Sequence, residues 1–230
     1  MHTIKGAAFP YICILISKPT PANMTATVSS FSDIKFRVRH RAPLHFEDEA
    51  MTDAAFHEFC LDNAELRIER NAHGKIIVTP PTTSETGRYN SEIHIELGIW
   101  NRKYQLGQTF DSSTGFKLPN GAERSPDSAW ITNERWNALS IEQKRKFAPI
   151  VPDFVLELRS NDQPLTELRE KVNEYMDCGC RLAWLIDPQH RRTYVYAANG
   201  DIQTVSFDAV LVGGEVLIGL EVRLGAVLGM

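Results

Sequence analysis

The sequence predicts an α/β fold, with an α+β tendency, built on one mixed sheet flanked by helices. Three observations predict it. Residues 151–158, 164–178 and 182–186 read as strand, helix and strand, a unit that closes as a right-handed crossover between parallel strands. Shorter strands with tight turns lie on both sides of that unit, and such turns favour antiparallel neighbours. The chain has 230 residues, 43% of them hydrophobic and 23% charged, which is enough for one sizeable core and excludes wholesale disorder.

The elements follow in order. Residues 7–17 are apolar and come after Lys5, a weak likeness to a secretory leader. Pro10 interrupts them and no small-x-small site precedes Met24, so the competing reading is an upstream extension with Met24 as an alternative start. Residues 1–45 are expected to form a poorly ordered N-terminal extension, since 25–49 are rich in Ser, Thr, Arg and Pro and show no sustained period. The folded domain is expected over 46–230.

It should open with a short helix over 52–61, capped by Thr52. A β-hairpin follows, from 65–69 through the turn at 71–74 to 75–79, and is closed by Pro80 and Pro81. Ile93, Leu97 and Trp100 recur at helical spacing inside 84–104. Strands are expected over 109–117 and 127–132, and a helix over 133–147 with a capping box at Ser140 and Gln143. Residues 151–158 carry the apolar content of a strand buried on both faces. In 164–178, Leu168, Val172 and Tyr175 form a stripe, and Gly179 ends the helix. Strands over 182–186, 193–196 (an antiparallel partner), 202–205 and 216–218 complete the chain.

Several function classes are excluded early. A net charge of −4 argues against a protein coated in positive charge for non-specific nucleic-acid binding, but leaves room for a local basic cleft. The 4 cysteines, Cys13, Cys60, Cys178 and Cys180, fit no disulfide framework and no zinc spacing, and read as the reduced thiols of a cytoplasmic protein. No apolar run reaches the ~20 residues that a membrane span needs. There is no glycine-rich phosphate loop, no Gly-x-Ser-x-Gly elbow and no His-Glu-x-x-His.

What remains is acidic residues at strand ends. Glu157 interrupts a run, 154–158, that otherwise belongs in a core, and a buried carboxylate is expensive unless a cation meets it. Asp127 starts the preceding strand. Two carboxylates on neighbouring strand ends can hold one Mg²⁺ through hard oxygen ligands, which polarises a phosphodiester and activates water. The bland reading makes each a strand-end cap or the partner of an arginine. Asp153 shares the strand of Glu157, but four residues of strand span roughly 13 Å. It therefore cannot share an ion with Glu157 and reads as a structural residue at the strand start.

Residues 124–130 (RSPDSAW), 151–160 (VPDFVLELRS), 168–175 (LREKVNEY) and 181–188 (RLAWLIDP), with 65–70, 86–87 and 110–116, together resemble the Uma family of bacterial restriction-endonuclease-like proteins. The likeness covers about residues 48–228. It implies the restriction-endonuclease-like PD-(D/E)xK fold and a Mg²⁺- or Mn²⁺-dependent endonuclease that hydrolyses DNA. By that resemblance Asp127 and Glu157 are catalytic and ligate the metal, and Lys171 replaces the motif's lysine, because Leu158 and Arg159 stand where that lysine belongs. Arg159 stays protonated and cannot act as a base, though it can meet a phosphate. Glu92 and Glu85 resemble the accessory acid. The bland readings are an exposed Glu167–Lys171 pair, a solvated face for Glu92 and a helix-start charge for Glu85.

The alternative to a nuclease is a catalytically inactive module that keeps the fold for interaction. The implied partner is nucleic acid, DNA first, with no membrane. A homodimer is expected because two sites on a two-fold axis match duplex symmetry. Trp100, Trp136, Tyr194 and Tyr196 are its interface candidates, and the competing reading puts all four in the core.

Overall fold

The computed structural model describes residues 51–64, 66–161 and 163–230, together with the backbone of three short strands nearer the N-terminus. The chain divides into two units, residues 1–68 with 74–81, and residues 69–73 with 82–230.

In the first unit β1 (Cys13–Ile16) pairs antiparallel with β2 (Ile34–Arg37). The rest of the expected extension over 1–45 lies outside the described residues, apart from the start of β3 (Leu44–Glu47). The predicted N-terminal helix is α1 (Asp53–Asp62), with the Thr52 hydroxyl accepting from the Ala55 N–H and with Phe56 and Phe59 buried. Both arms of the predicted hairpin are strands, β4 (Arg67–Arg70), whose Glu69 and Arg70 belong to the second unit, and β5 (Lys75–Thr79), which pairs antiparallel with β3.

The second unit is built on a six-stranded sheet. Its helix α2 (Ser84–Tyr104) begins at a Thr83 cap and buries Tyr89, Ile93, Leu97 and Trp100, as the apolar spacing requires. The expected strand over 109–117 is two pieces, β6 (Gly107–Asp111) and β7 (Phe116–Lys117). The break has a local cause: the Asp111 carboxylate accepts from the Ser113 N–H and from the Ser113 and Thr114 hydroxyls, and so turns the chain. β8 (Glu123–Arg124) pairs with β7, and at Arg70 with β4. β9 (Ser128–Thr132) starts one residue after Asp127.

The helix expected over 133–147 is two short ones, α3 (Asn133–Asn137) and α4 (Ile141–Lys144). Ser140 starts a new helix with its capping box, and neither piece has an apolar stripe long enough to sustain a single helix. β10 (Phe154–Leu158), α5 (Leu165–Asp177) and β11 (Leu182–Asp187) form the crossover, with β10 and β11 parallel and adjacent. Gly179 leaves α5 at φ +102, where a side chain would be strained.

β12 (Arg192–Ala197) and β13 (Ile202–Ser206) are antiparallel, and the sheet order is β13-β12-β11-β10-β9-β6. The strand expected over 216–218 is a turn instead. It links β14 (Leu211–Val212) to β15 (Glu221–Val222), ahead of α6 (Leu224–Leu228). Leu217 is nonetheless fully buried, so its apolar character reports core and not strand.

Strand alternation sorts the core into two layers. Phe154, Leu156 and Leu158 point to one face with Trp130, Trp184 and Ile186, and pack there with α2 and the C-terminal segment. Val155, Ala183 and Leu185 point to the other face, under Leu168, Val172 and Tyr175 of α5. Trp100, Tyr194 and Tyr196 are buried in these layers, which removes them as interface candidates, while Trp136 is half-buried against Phe110. Among the described residues no helix is long and apolar enough to cross a membrane.

Candidate active site

The site grows from the register of two central strands. β10 and β9 pair antiparallel, ending at Leu156 opposite Ser128. One step further sets Glu157 opposite Asp127. Glu157 alternates with Leu156 and Leu158 and so belongs, with Val155, to the α5 side of the sheet. The Leu158 N–H donates to Asp127 Oδ2 at 2.8 Å, which fixes Asp127 against the end of β10.

Glu157 is 2% exposed, inside a strand whose other four residues are apolar. A carboxylate there needs a cation, and α5 supplies one. Lys171 lies just before Val172 at the edge of the buried stripe, and its ammonium is 2.7 Å from Glu157 Oε1. The same ammonium is 2.8 Å from Glu69 Oε1 and donates to the Ser125 carbonyl at 3.1 Å. It therefore faces inward, whereas Glu167 on the same helix is exposed.

Glu69 is the member that sequence reasoning missed. It is buried on β4, accepts from the Ser125 N–H at 2.7 Å and lies 3.6 Å from Arg124. Arg124 also donates to Glu174 of α5. Burial works against the Arg124 guanidinium, but the facing Glu69 and Glu174 carboxylates outweigh it and hold its proton more firmly than usual. No local signal in the sequence marks Glu69 as buried, since it ends an alternating stretch that reads only as a hairpin arm.

The other predicted residues are placed elsewhere. Arg159 leaves β10 and turns to Asp187, with Nη1 3.2 Å from both carboxylate oxygens, while its Nε donates to the Gln163 carbonyl. Glu92 and Glu85 lie on α2, which packs on the opposite face of the sheet from Glu157. Glu85 accepts from the Tyr89 hydroxyl at 3.2 Å. The structure thus joins Glu157, Lys171 and Glu69, and fixes Asp127 against the end of the strand that carries Glu157.

Asp153, at the start of β10, has partners of another kind. It accepts from the Thr132 N–H at 2.9 Å and pairs with Arg135 at 2.9 Å and Arg181 at 3.6 Å. Its backbone carbonyl accepts from the Arg181 and Leu182 N–H groups.

Among the described residues no three His, Cys, Asp or Glu side chains gather tightly enough to hold an ion by themselves. The oxygen donors of Asp127 and Glu157 suit Mg²⁺, which is commonly bound through one or two carboxylates with water and substrate phosphates completing its shell.

A family model described as Uma2, putative restriction endonuclease, matches residues 53–228. The crystal structure of a putative nuclease belonging to DUF820 from Anabaena variabilis ATCC 29413 superposes with a TM-score of 0.61 at 20% identity, covering 71% of this chain and 92% of that one. That likeness shows the shared fold. No curated protein matches the chain.

Proposed function

The chain belongs to the Uma2 family, and from that premise we propose that it is a Mg²⁺- or Mn²⁺-dependent endonuclease hydrolysing phosphodiester bonds of DNA. The observation that carries the reading is Glu157, a buried acid in an apolar strand, next to the Leu158 N–H that Asp127 accepts and in contact with the Lys171 ammonium. A core strand gains nothing in stability from such a residue over an apolar one.

Asp127 and Glu157 would hold the ion. When bound, the ion lowers the pKa of attacking water and polarises the phosphoryl oxygen. Lys171 bears its charge beside Glu157, where it can stabilise an oxyanion and orient water. Lysine suits this role because it is a compact point charge whose proton can leave, which arginine's cannot. Glu69 positions Lys171 from the far side. Two such sites in a homodimer would address both strands of a duplex.

A second reading, a non-catalytic interaction module, draws on Arg159. It occupies the place of the motif's lysine and is engaged with Asp187.

One experiment tests both readings. Purified chain is incubated with supercoiled plasmid in Mg²⁺ or Mn²⁺, and Mn²⁺ binding is followed by calorimetry. The nuclease reading expects metal-dependent strand cleavage that is lost in Glu157→Gln and Asp127→Asn. A folded wild-type chain that neither cleaves nor binds Mn²⁺ leaves the module reading standing. Sedimentation at micromolar concentration checks the dimer.

A further inference from the structure

Beyond the end of β10 lies a second polar cluster that the proposed hydrolysis does not use. Asp187, wholly buried, ends β11. Its Oδ2 is 2.7 Å from His190 Nδ1, and both of its oxygens face Arg159. Arg159 Nη1 is also 3.4 Å from His190 Nδ1, so the buried carboxylate and the guanidinium together hold the ring, whose side chain is 52% exposed.

The turn that carries His190 is tied down. Gln189 donates to the Asn161 carbonyl at 2.9 Å, so the loops after β10 and β11 are laced together. Arg191 follows at φ 51, a left-handed conformation that favours glycine. Its side chain is 43% exposed and rests on Asp208, a surface pair that solvent screens. Arg192 is exposed next to it.

This cluster shares the face of Glu157. Glu157 is in register with Leu185, and Asp187 is two residues further along the same strand. In a chain of net charge −4, Arg159, Arg191 and Arg192 lie around His190, with Asp187 and Asp208 the acids that face them.

We propose that the turn from Pro188 to Arg192 is a phosphate-binding subsite for a nucleic-acid strand, with Arg191 and Arg192 contacting backbone phosphates and with Asp187 and Arg159 fixing the turn through His190. The subsite rests on the nuclease reading, since it engages the strand next to the phosphodiester cut at Glu157. Its ligand chemistry is a phosphodiester backbone, with no base read.

The test is binding of a short fluorescent DNA duplex to the full chain in EDTA, with salt as the variable. Removing one phosphate-binding group lowers the slope of log K against log[salt] by about 0.9. Arg191→Gly and Arg192→Gln are each expected to lower it by that amount. Arg191→Gly is expected to hold or raise the melting temperature, because it relieves a left-handed residue. A merely structural role would move the melting temperature and leave the slope alone. Lys103→Gln, on α2 across the sheet, is expected to keep the wild-type slope.

Unchanged slopes in both subsite variants, or an equal fall in Lys103→Gln, overturn the subsite. If the wild type then still cleaves plasmid and Glu157→Gln does not, the nuclease reading survives that result. A wild-type chain that neither binds the duplex nor cleaves overturns both.

Discussion

The two ends of β10 hold two acids of similar chemistry in opposite circumstances. Asp153 and Glu157 are four residues apart on one strand, and both are almost completely buried. Asp153 is met by a backbone N–H and by two arginines whose side chains are 39% and 48% exposed. Glu157 is met by a lysine that is 11% exposed and shared with a second acid, Glu69. Arginine keeps its proton under any condition a protein survives, and a backbone N–H is fixed, so the donors at the Asp153 end do not change. Lysine is a point charge on a flexible stem and can exchange partners or protons. The two buried acids thus differ in the kind of cation that faces them.

The comparison breaks most visibly in activity. Glu157→Gln is expected to reduce metal-dependent strand cleavage by roughly 10³-fold or more, the scale of the several kcal/mol that a bound metal contributes to a transition state. Its folding stability is expected to stay within about 1 kcal/mol of wild type, because Lys171 keeps Glu69 and the Ser125 carbonyl. Plasmid cleavage and urea denaturation of the same preparation measure the two quantities. A variant that cleaves normally would show that Glu157 is a structural acid like Asp153.

Asp153→Ala should do the reverse. It leaves the Thr132 N–H without its acceptor and removes the anchor of Arg135 and Arg181. The expected cost is about 3 kcal/mol, seen as an earlier urea midpoint. Mn²⁺ affinity, measured below the unfolding range, should be unchanged. Equal losses of stability in Asp153→Ala and Glu157→Gln would erase the distinction between the two ends.

Much of this contrast is legible in the sequence, and the parts that are not have physical reasons. The crossover through α5 and the long helix α2 follow from apolar periodicity, a local signal sustained over many residues. The strand geometry that separates Asp153 from Glu157 is equally local. Glu69 escaped because its burial comes from long-range contacts with Ser125, Arg124 and Lys171, none of them near it in sequence. The Arg159–Asp187 pair escaped for the same reason, since only the parallel register of β10 and β11 sets the two side by side. The split of 133–147 into two helices and the turn at 216–218 show the limit of reading short apolar runs, where burial and secondary structure are independent.

A smaller effect sharpens the structural end. Cys180 lies beside Asp153, with Sγ 3.7 Å from its carbonyl and 3.2 Å from that of Leu182. Burial pushes its thiol from the ordinary 9.0 up to about 12. The unfolded chain gives up this proton near 9.0 while the folded chain keeps it. The stability tied to the protonated thiol is thus whole below that value and is lost as pH rises through the window up to about 12. Within the window the loss is about 1.4 kcal/mol per pH unit. Cys180→Ala lacks this term, so the wild-type advantage over it should shrink between about pH 8 and about pH 10. A constant gap in urea midpoints would mean that the thiol is accessible in the folded chain.

The smallest expected effect separates the two arginines of Asp153. Arg135 reaches Oδ1 at 2.9 Å, while Arg181 stands 3.6 Å from the same atom. Both side chains are more than a third exposed, so water screens each pair and neither approaches the worth of a buried bridge. Arg181 nevertheless keeps a second tie, because its backbone N–H donates to the Asp153 carbonyl whatever its side chain becomes. Arg135→Gln should therefore cost more than Arg181→Gln, with both below about 1 kcal/mol. In a double-mutant cycle with Asp153→Asn, the coupling should be larger for Arg135 and should fall with added salt for both. The order matters more than the size. A larger coupling at Arg181 would mean that the carboxylate is held from the β11 side, and that the loop leading from α5 into β11, not α3, fixes where β10 begins.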